Sequence, residues 1–381
     1  RDLVRSRGLG DVYKRQLYFT IQNSQPPARG IYFRDMAPKF CHLHLHTEYS
    51  LLDGVNRISQ VAETCKLMGM DAVAITDHGV MYGAIEHITA CREAEIKPII
   101  GCEMYTAPED RRDRNPNNKG RNGHLVLLVL DQTGYENLST LVSLSYREGL
   151  YYKPRIDKEL IARHSEGLVA LSGCLRGEIN QCLLMDDMKG AKNVAGFYKD
   201  IYGPDRFFVE LQDHGLSDQE RLNPKLAEIA KATGLSVVAT NDSHFLTPKD
   251  REIQDVMICI QTNKKLTDVD RFRAYTPDHY LKSPEEMANL FKWAPEAVKN
   301  TIRIADMVTY NPGLDAFHFP VFNPPDGSSP EEYLRVAAKD GLKKILNGKI
   351  PANYKKQLEY ELDVICDMGF ASYFLIVADF V

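Results

Sequence analysis

Seven short runs of β-branched and other apolar residues constrain the fold of this chain more than any other feature of its sequence. The runs cover residues 40–47, 71–78, 97–107, 124–130, 167–174, 206–215 and 236–245. Amphipathic stretches separate them, and we predict crossover helices over residues 58–68 and 222–230, where apolar residues share one helical face. Because this alternation is typical of repeated βα units, we expect an α/β protein.

One connection between these runs has a different character. Residues 108–123, between the third and fourth runs, are polar, rich in Pro, Gly and Asn, and without a helical period. We predict a long hairpin loop here, which would make the third and fourth strands antiparallel. His124, which opens the fourth run, would then lie at the same rim as the end of the third.

The two ends of the chain do not share the alternating pattern. Residues 1–35 hold seven Arg or Lys against three Asp and sustain no period. We interpret them as a non-native or disordered extension, with a basic arm for nucleic acid as the alternative. Helical patterns replace the strands after about residue 250, and residues 311–333 are typical of a Pro/Gly-rich linker. We therefore predict one domain over 36–310 and a separate segment over 311–381.

Composition excludes several classes of function. The chain has 47 Lys+Arg against 52 Asp+Glu, a formal charge of -5, so it lacks the global basic field that drives non-specific DNA binding. Its eight cysteines are scattered without a C-x-x-C pair, as in reduced proteins. No apolar run reaches the roughly 18 residues of a membrane span, and no secretory signal is evident. We predict a cytoplasmic protein with no membrane partner.

Residues with metal-binding side chains are concentrated at the ends of the runs. His42, His44 and His46 alternate in the first run, and the period of two in a strand predicts that all three share one face. Further candidates at or near the ends of other runs are Asp77, His78, Glu103, His124, Cys174, Asp242 and His244. In parallel barrels such strand ends converge at one rim. Mixed N, O and S donors suit Zn²⁺ or Mn²⁺, and their number indicates more than one ion. Clustered divalent cations can activate water for attack at phosphorus.

Six motifs carry a resemblance to a known family. HLHLHTEYSLLDG (42–54), AITDHG (74–79), GCEMY (101–105), GHLVLL (123–128), ALSGC (170–174) and ATNDSH (239–244) resemble, in this order, the PHP (polymerase and histidinol phosphatase) domain. The version they resemble is the one carried by bacterial DNA polymerase III alpha subunits. The resemblance implies a distorted seven-stranded (βα) barrel, the PHP fold, with a mainly helical C-terminal extension. It also implies that residues 311–381 are a linker and the beginning of a polymerase palm region.

The same resemblance implies a set of ligands for three metal ions. One ion would take His44, His46, Glu103 and Asp242; a second Asp53, His78 and His244; a third Glu103, His124 and Cys174. His44, His46, Glu103, Asp242 and His244 would be the catalytic residues. Arg155 and His214 are candidate phosphate contacts. A basic loop could also contact phosphates, although a solvated surface is the alternative for its members Arg111, Arg112, Arg114, Lys119 and Arg121.

The function implied by the resemblance has two levels. The full-length relatives are DNA-directed DNA polymerases of replication, and we expect the present residues to act as a 3′→5′ exonuclease on a primer end. Expected partners are DNA, a sliding clamp and a separate exonuclease subunit. Two alternatives are a stand-alone phosphatase on a small phosphomonoester such as histidinol phosphate, and a non-catalytic scaffold stabilised by its metals.

Overall fold

The computed structural model of the chain describes residues 38–51, 53–118, 120–273, 276–314 and 320–381. These residues form two compact units, of which one ends at Asn311 and the other begins at Pro312. The predicted extension 1–35 and Lys119 of the basic loop lie outside the described residues. In the part of the chain that is described, no helix has both the length and the apolar character needed to cross a membrane.

A curled mixed sheet forms the centre of the first unit. Its strands are β1 (Ala72–Ile75), β2 (Lys97–Thr106), β3 (Gly123–Val129), β4 (Arg155–Ile156), β5 (Leu168–Leu171), β6 (Phe207–Leu211) and β7 (Ser236–Ala239). The order across the sheet is β1-β2-β3-β5-β6-β7, with β4 paired to β2. Only β3 runs antiparallel to its neighbours β2 and β5. The predicted hairpin is therefore confirmed.

The seven strands are not quite the seven that the sequence predicted. Residues 40–47 form no regular strand, and the two-residue β4 is present instead. The segment 40–47 nevertheless closes the sheet. The Ala74 amide of β1 donates to the His42 carbonyl (2.8 Å), and the His46 amide donates to the carbonyl of Ser243, beyond β7 (2.8 Å). The predicted distorted α/β barrel is thus confirmed, although β4 is one of its seven strands and residues 40–47 are not.

An extra residue explains why the closing segment is irregular. Ala74 in β1 and Thr76 just after it are two positions apart, but their amides donate to the carbonyls of His42 and Leu45, which are three positions apart. Such an insertion is a β-bulge, which reverses the alternation of the side chains that follow. His44 and His46 therefore lie on the inner side, and His42 does not. The prediction that three histidines share one face was wrong for this reason.

Thirteen helices surround the sheet or follow it among the described residues. They are α1 (Ile58–Leu67), α2 (Ala84–Glu93), α3 (Gln132–Arg147), α4 (Lys158–Arg163), α5 (Glu178–Leu184), α6 (Met188–Tyr202), α7 (Ser217–Thr233), α8 (Arg251–Thr262), α9 (Pro284–Leu290), α10 (Pro295–Met307), α11 (Pro330–Ile345), α12 (Ala352–Asp367) and α13 (Ala371–Phe380). The crossover helices predicted from periodicity correspond to α1 and α7. Helices α11 to α13 belong to the second unit, which has its own small core of Leu334, Leu362, Ala371 and Leu375.

The barrel interior has an apolar end and a polar end. Inward side chains such as Ala74, Ile99, Val126 and Phe208 form a buried cluster, and Ile304 of α10 packs into it. Toward the carboxyl ends of the parallel strands the inward positions change to His, Asp and Glu. Helix α10 therefore closes one end, and the polar side chains form a mouth at the other.

Candidate metal centre

The nine predicted ligands are brought together at this mouth. They form three overlapping groups: His44, His46, Glu103 and Asp242; His46, His78, His244 and Asp53; and His78, Glu103, His124 and Cys174. Most of them are buried, whereas the side chains of Asp53 (14% exposed) and His78 (15% exposed) open toward solvent. A ligand entering the mouth would therefore approach from the side of Asp53 and His78.

The first group has the spacing of a tetrahedral cation site. His44 Nε2 lies 3.3 Å from Asp242 Oδ1 and 3.4 Å from Glu103 Oε1. His46 Nε2 lies 3.2 Å from Asp242 Oδ1, 3.6 Å from Glu103 Oε2 and 3.2 Å from His44 Nε2. Four ligands about 2.0 to 2.2 Å from one tetrahedral ion lie roughly 3.3 to 3.6 Å from one another. His44 Nε2, His46 Nε2 and Asp242 Oδ1 match that arrangement, and Glu103 adds one oxygen beside each histidine.

Glu210 fixes the orientation of His44 and was missed by the sequence analysis. Its Oε1 lies 2.7 Å from His44 Nδ1, while the Gly173 amide donates to its Oε2 (2.9 Å) and the Thr240 hydroxyl donates to Oε1. A carboxylate that accepts on both oxygens requires His44 Nδ1 to carry the proton, so Nε2 directs its lone pair into the mouth. The available signal was a glutamate inside the apolar run FFVEL.

Ser50 and Asp77 orient His46 in a comparable way. The Ser50 hydroxyl donates to Asp77 Oδ1 (2.7 Å), so its oxygen accepts from His46 Nδ1 (3.0 Å). Asp77 also accepts from the amide of Thr47 (2.7 Å) and from its hydroxyl (2.8 Å). Asp77, one of the candidate ligand residues, therefore supports the site from behind and does not face the cluster.

The orientations of the His44 and His46 rings suit the binding of a metal ion. The lone pairs of His44 Nε2 and His46 Nε2 converge with two carboxylates, and Asp242 Oδ1 makes no hydrogen bond although it is buried. Two imidazole nitrogens and two carboxylates this close together need a positive charge among them, whether a proton or a metal ion. The donor set therefore fits a divalent cation.

The electrostatics of the mouth also favour positive charge. Burial lowers the pKa of His44, but the carboxylates of Asp242, Glu210 and Glu103 outweigh burial and hold that pKa well above its usual value. Burial raises the pKa of Asp242, yet the imidazoles of His44 and His244 lower it well below its usual range. The raised pKa of His44 shows that the surrounding carboxylates favour positive charge, and the lowered pKa of Asp242 keeps this carboxylate ionised, as a ligand of a cation must be.

The second group lies on the open side of the mouth. His78 Nε2 is 3.2 Å from Asp53 Oδ2, and His78 Nδ1 is 2.7 Å from Glu103 Oε2. The His46 ring stacks between His244 (centroids 4.3 Å apart) and His78 (4.1 Å). Burial lowers the pKa of His78, but the two neighbouring carboxylates raise it to about 10.

The third group joins a thiol to the cluster. His124 Nδ1 is 2.8 Å from Glu103 Oε1 and 3.6 Å from Cys174 Sγ. The pairing of His124 with Tyr105 in the antiparallel β2 and β3 brings His124 to this rim, as the hairpin predicted. Gly173 permits the approach because its φ is +81° and a Cβ there would lie 2.6 Å from the His124 carbonyl.

Asp242 is held in an unusual backbone conformation. Its φ is +42°, in the left-handed region that non-glycine residues seldom occupy. Strain of this kind costs about 1 to 3 kcal/mol and is concentrated at functional sites. The conformation turns the Asp242 carboxylate toward His44 and His46 immediately after β7.

Three predicted polar residues lie away from the cluster. His42 Nε2 bonds to the Lys282 carbonyl (2.8 Å), on the other side of the bulge. His214 is 1% exposed, and its ring nitrogens lie 2.8 Å from the Asn241 carbonyl and 2.9 Å from Gln219 Nε2. Arg155 is 1% exposed and donates to backbone carbonyls. Neither His214 nor Arg155 is available to a phosphate, because both side chains are buried and hydrogen-bonded within the chain. A single sequence does not show which polar side chains are buried in this way.

Arg111, Arg112 and Arg114 of the basic loop make contacts within the chain, and all of the described arginines of this loop except Arg111 are exposed, Arg121 included. Arg111 is buried and pairs with Asp157 (2.9 Å) and Glu148 (2.6 Å). Arg112 also pairs with Glu148, at 2.8 Å, and Arg114 donates to the Leu150 carbonyl. Arg111, Arg112 and Arg114 therefore tie the hairpin loop to residues on both sides of β4.

Two family models match the chain. Residues 42–214 match the PHP domain, and residues 332–381 match the model described as the bacterial DNA polymerase III alpha NTPase domain. Among solved structures, a Bacteroides vulgatus protein described as "containing predicted PHP-like metal-dependent phosphoesterase" aligns with 69% of this chain and 66% of its own, at 14% identity and a TM-score of 0.31.

Curated relatives share both regions. The chain is 43% identical over 344 residues to DNA polymerase III subunit alpha of Treponema pallidum (strain Nichols), covering 90% of this chain and 29% of the relative. It is 40% identical over 353 residues to the protein of the same name from Borreliella burgdorferi, covering 90% and 30%. The chain thus spans about three tenths of the length of these relatives. It contains a PHP domain and belongs to the family of bacterial DNA polymerase III alpha subunits.

Proposed function

We propose that this chain is the PHP-containing part of a replicative DNA-directed DNA polymerase. We further propose that its barrel hydrolyses phosphodiesters and removes nucleotides 3′→5′ from a primer end. The observation that carries the second proposal is the convergence of His44 Nε2, His46 Nε2 and Asp242 Oδ1 at the spacing of ligands to one cation, with the Glu103 carboxylate beside both histidines.

The cluster has enough donors for three divalent cations, Zn²⁺ or Mn²⁺. His44, His46, Glu103 and Asp242 would hold the first; Asp53, His78 and His244 the second; Glu103, His124 and Cys174 the third. The contacts of Glu103 with His78 (2.7 Å) and His124 (2.8 Å) support its sharing between sites. The single sulfur donor favours Zn²⁺ at the third site, and carboxylates and imidazoles suit either ion.

The residues around the cluster prepare it for hydrolysis. Clustered divalent cations lower the pKa of water and neutralise charge that develops on a phosphate. Glu210 and the Ser50–Asp77 pair hold His44 and His46 in the tautomer that leaves Nε2 unprotonated. The open side at Asp53 and His78 gives a phosphodiester a way in, which favours catalysis over a purely structural role for the metals.

A 5′-labelled single-stranded oligonucleotide tests the proposal. The 381-residue chain loaded with Mn²⁺ or Zn²⁺ should shorten it from the 3′ end, and Asp242→Asn should abolish shortening because an anionic ligand of the first ion is lost. Asp218→Asn, on the exposed surface of α7, serves as the matched control. Circular dichroism checks that both variants fold.

Other outcomes of this test would favour a different function for the barrel. Absence of shortening by protein that binds metal would favour the non-catalytic scaffold. Release of phosphate from histidinol phosphate, without shortening of DNA, would favour a phosphomonoesterase. Metal analysis of the purified chain measures the number of ions, and a single equivalent would contradict the three-ion assignment.

The remaining assignments rest on family membership. DNA, a sliding clamp and a separate exonuclease subunit are proposed partners of the full-length protein. Cytoplasmic location stays a prediction from the composition and the reduced cysteines.

A further inference from the structure

One exposed turn beside the mouth carries an aromatic ring and a cation side by side. We call residues 149–155 the tyrosine turn. Tyr152 is 65% exposed, and its φ is +61°, in the left-handed region. Lys153 follows it, and its Nζ lies 5.1 Å from the centre of the Tyr105 ring. A bulky residue at positive φ is an outlier, which suggests a reason for keeping the ring there.

The tyrosine turn borders the open side of the metal cluster. Tyr105, which carries Lys153 on its face, lies 5.8 Å from the His78 ring and 5.1 Å from the His124 ring, measured between centroids. Pro154 packs against Gly79, the residue after His78, so closely that a Cβ on Gly79 would lie 2.9 Å from Pro154 Cγ. Lys153 therefore stands next to the groups through which a substrate would enter, and Tyr152 precedes it in the same turn.

Arg155 holds the tyrosine turn in place. Its Nε donates to the Gly149 carbonyl (3.0 Å), which closes the turn on itself. Its Nη2 donates to the carbonyls of Arg111 (2.8 Å) and Asp113 (2.6 Å), which fastens the turn to the hairpin loop. The guanidinium also lies 5.2 Å from the Tyr151 ring, whose centroid is 4.7 Å from that of Tyr152. The buried arginine thus supports the exposed tyrosine.

Lys153 retains a charge that a ligand can use. Within the described parts of the chain its ammonium group makes no ion pair, and it lies over the Tyr105 ring. In the hairpin loop, Arg111, Arg112 and Arg114 are paired with carboxylates or carbonyls, whereas Arg121 is exposed. Lys153 therefore offers a phosphate a cation at this edge.

We propose that Tyr152 and Lys153 form a binding edge for single-stranded DNA entering the metal cluster. The Tyr152 ring stacks on a base near the 3′ end, and Lys153 pairs with a backbone phosphate. Base stacking on aromatic residues beside cations is how single strands are bound without sequence preference. Paired DNA keeps its bases inside the duplex and cannot use the edge in this way. The inference rests on the proposed function, since it names the substrate class of the same site.

Binding of fluorescein-labelled oligo(dT) to the 381-residue chain in EDTA tests the edge without hydrolysis. Tyr152→Ala should weaken binding about tenfold, because one stacked base contributes on the order of 1 to 3 kcal/mol, and Tyr152→Phe should retain wild-type affinity. Lys153→Ala should lower the slope of log K against log salt by about 0.7, as expected for one phosphate contact on a single strand. Wild-type protein should prefer the single strand to a blunt duplex.

The positive φ supplies a variant that separates folding from binding. Tyr152→Gly removes the ring but suits the backbone, so its melting temperature should equal or exceed that of the wild type while its affinity for oligo(dT) falls as in Tyr152→Ala. Lys66→Ala is the charge control, because Lys66 contacts Glu95 before β2, at the far end of the barrel. It should bind oligo(dT) like the wild type.

The outcomes distinguish this inference from the proposed function. Hydrolysis of bis-p-nitrophenyl phosphate by the Mn²⁺-loaded wild type, together with unchanged oligo(dT) affinity in Tyr152→Ala and Lys153→Ala, would overturn the binding edge alone. Loss of affinity in these variants, with no hydrolysis of either ester or oligonucleotide by the metal-loaded wild type, would overturn the proposed hydrolysis alone.

Discussion

At the scale of single residues, the mouth depends on side chains that would touch no metal. Glu210 and the Ser50–Asp77 pair determine which nitrogen of His44 and His46 carries a proton. A neutral imidazole binds a cation only through its unprotonated nitrogen, so these partners decide whether the two histidines can act as ligands. A search of the sequence for ligand-type residues does not reveal that these partners orient the two histidines.

Glu210→Gln tests this dependence. The amide has nearly the shape of the carboxylate but can present a donor to His44 Nδ1, so it no longer enforces the required tautomer. We expect metal affinity to fall about 10- to 100-fold, as is typical when the partner of a ligating histidine is lost. Titration of metal-free protein with Zn²⁺ measures the change. Glu220→Gln, on the exposed side of α7, is the control, and equal affinities in the two variants would contradict the assignment.

At the scale of elements, the ligands come from short connections that follow strands. Cys174 and Asp242 come just after β5 and β7, and each connection contains a residue at positive φ, Gly173 or Asp242 itself. The antiparallel β3 contributes from its beginning instead, through His124. The strands set the distance between ligands, and these connections set their direction.

Gly173→Ala should damage the third site selectively. The new Cβ would lie 2.6 Å from the His124 carbonyl, and alanine disfavours the φ of +81°, so the Cys174 connection must shift. We expect a loss of about one metal equivalent and of roughly 1 to 3 kcal/mol of unfolding free energy. Metal analysis and urea unfolding measure these. Gly196→Ala, in α6 with open space around it, should keep its metal and gain stability.

At the scale of the whole molecule, residues from 44 to 244 meet at one barrel mouth. The interior below them is apolar and closed by α10, so the charged side chains gather at the other end. Anionic carboxylates and imidazole lone pairs in a buried cluster destabilise the fold unless cations compensate them. Metal binding and the stability of the first unit are therefore expected to be coupled.

Removal of metal should lower the melting temperature of the chain. Each site saturated at a hundredfold excess over its Kd contributes about 2.7 kcal/mol to the unfolding free energy, provided that the unfolded chain does not bind. Differential scanning calorimetry before and after chelation measures the effect, and restored Zn²⁺ or Mn²⁺ should reverse it. An unchanged melting temperature in protein shown to have lost its metal would argue against this coupling.

Much of the architecture follows from local sequence. Six of the seven apolar runs became strands of the barrel because β-branched residues and a period of two favour extended chain wherever they stand. The polar segment 108–123 determined the hairpin, and hence the place of His124. Eight of the nine ligand-type residues could also be named from the sequence, because chemistry restricts which side chains hold a metal, whereas Asp53 was named only through the resemblance to the PHP family.

Only the tertiary structure decided which side chains face the site, which are buried elsewhere, and which support the ligands. The bulge between His42 and Leu45 exists in relation to β1, a strand some thirty residues away, and it turned His42 from the site. The burial of Arg155 and His214, the support that Glu210 gives to His44, and the place of Tyr152 beside the mouth likewise depend on neighbours distant in the chain. Local propensity fixes what a segment tends to form, whereas register and burial are set by contacts that exist only when the barrel closes.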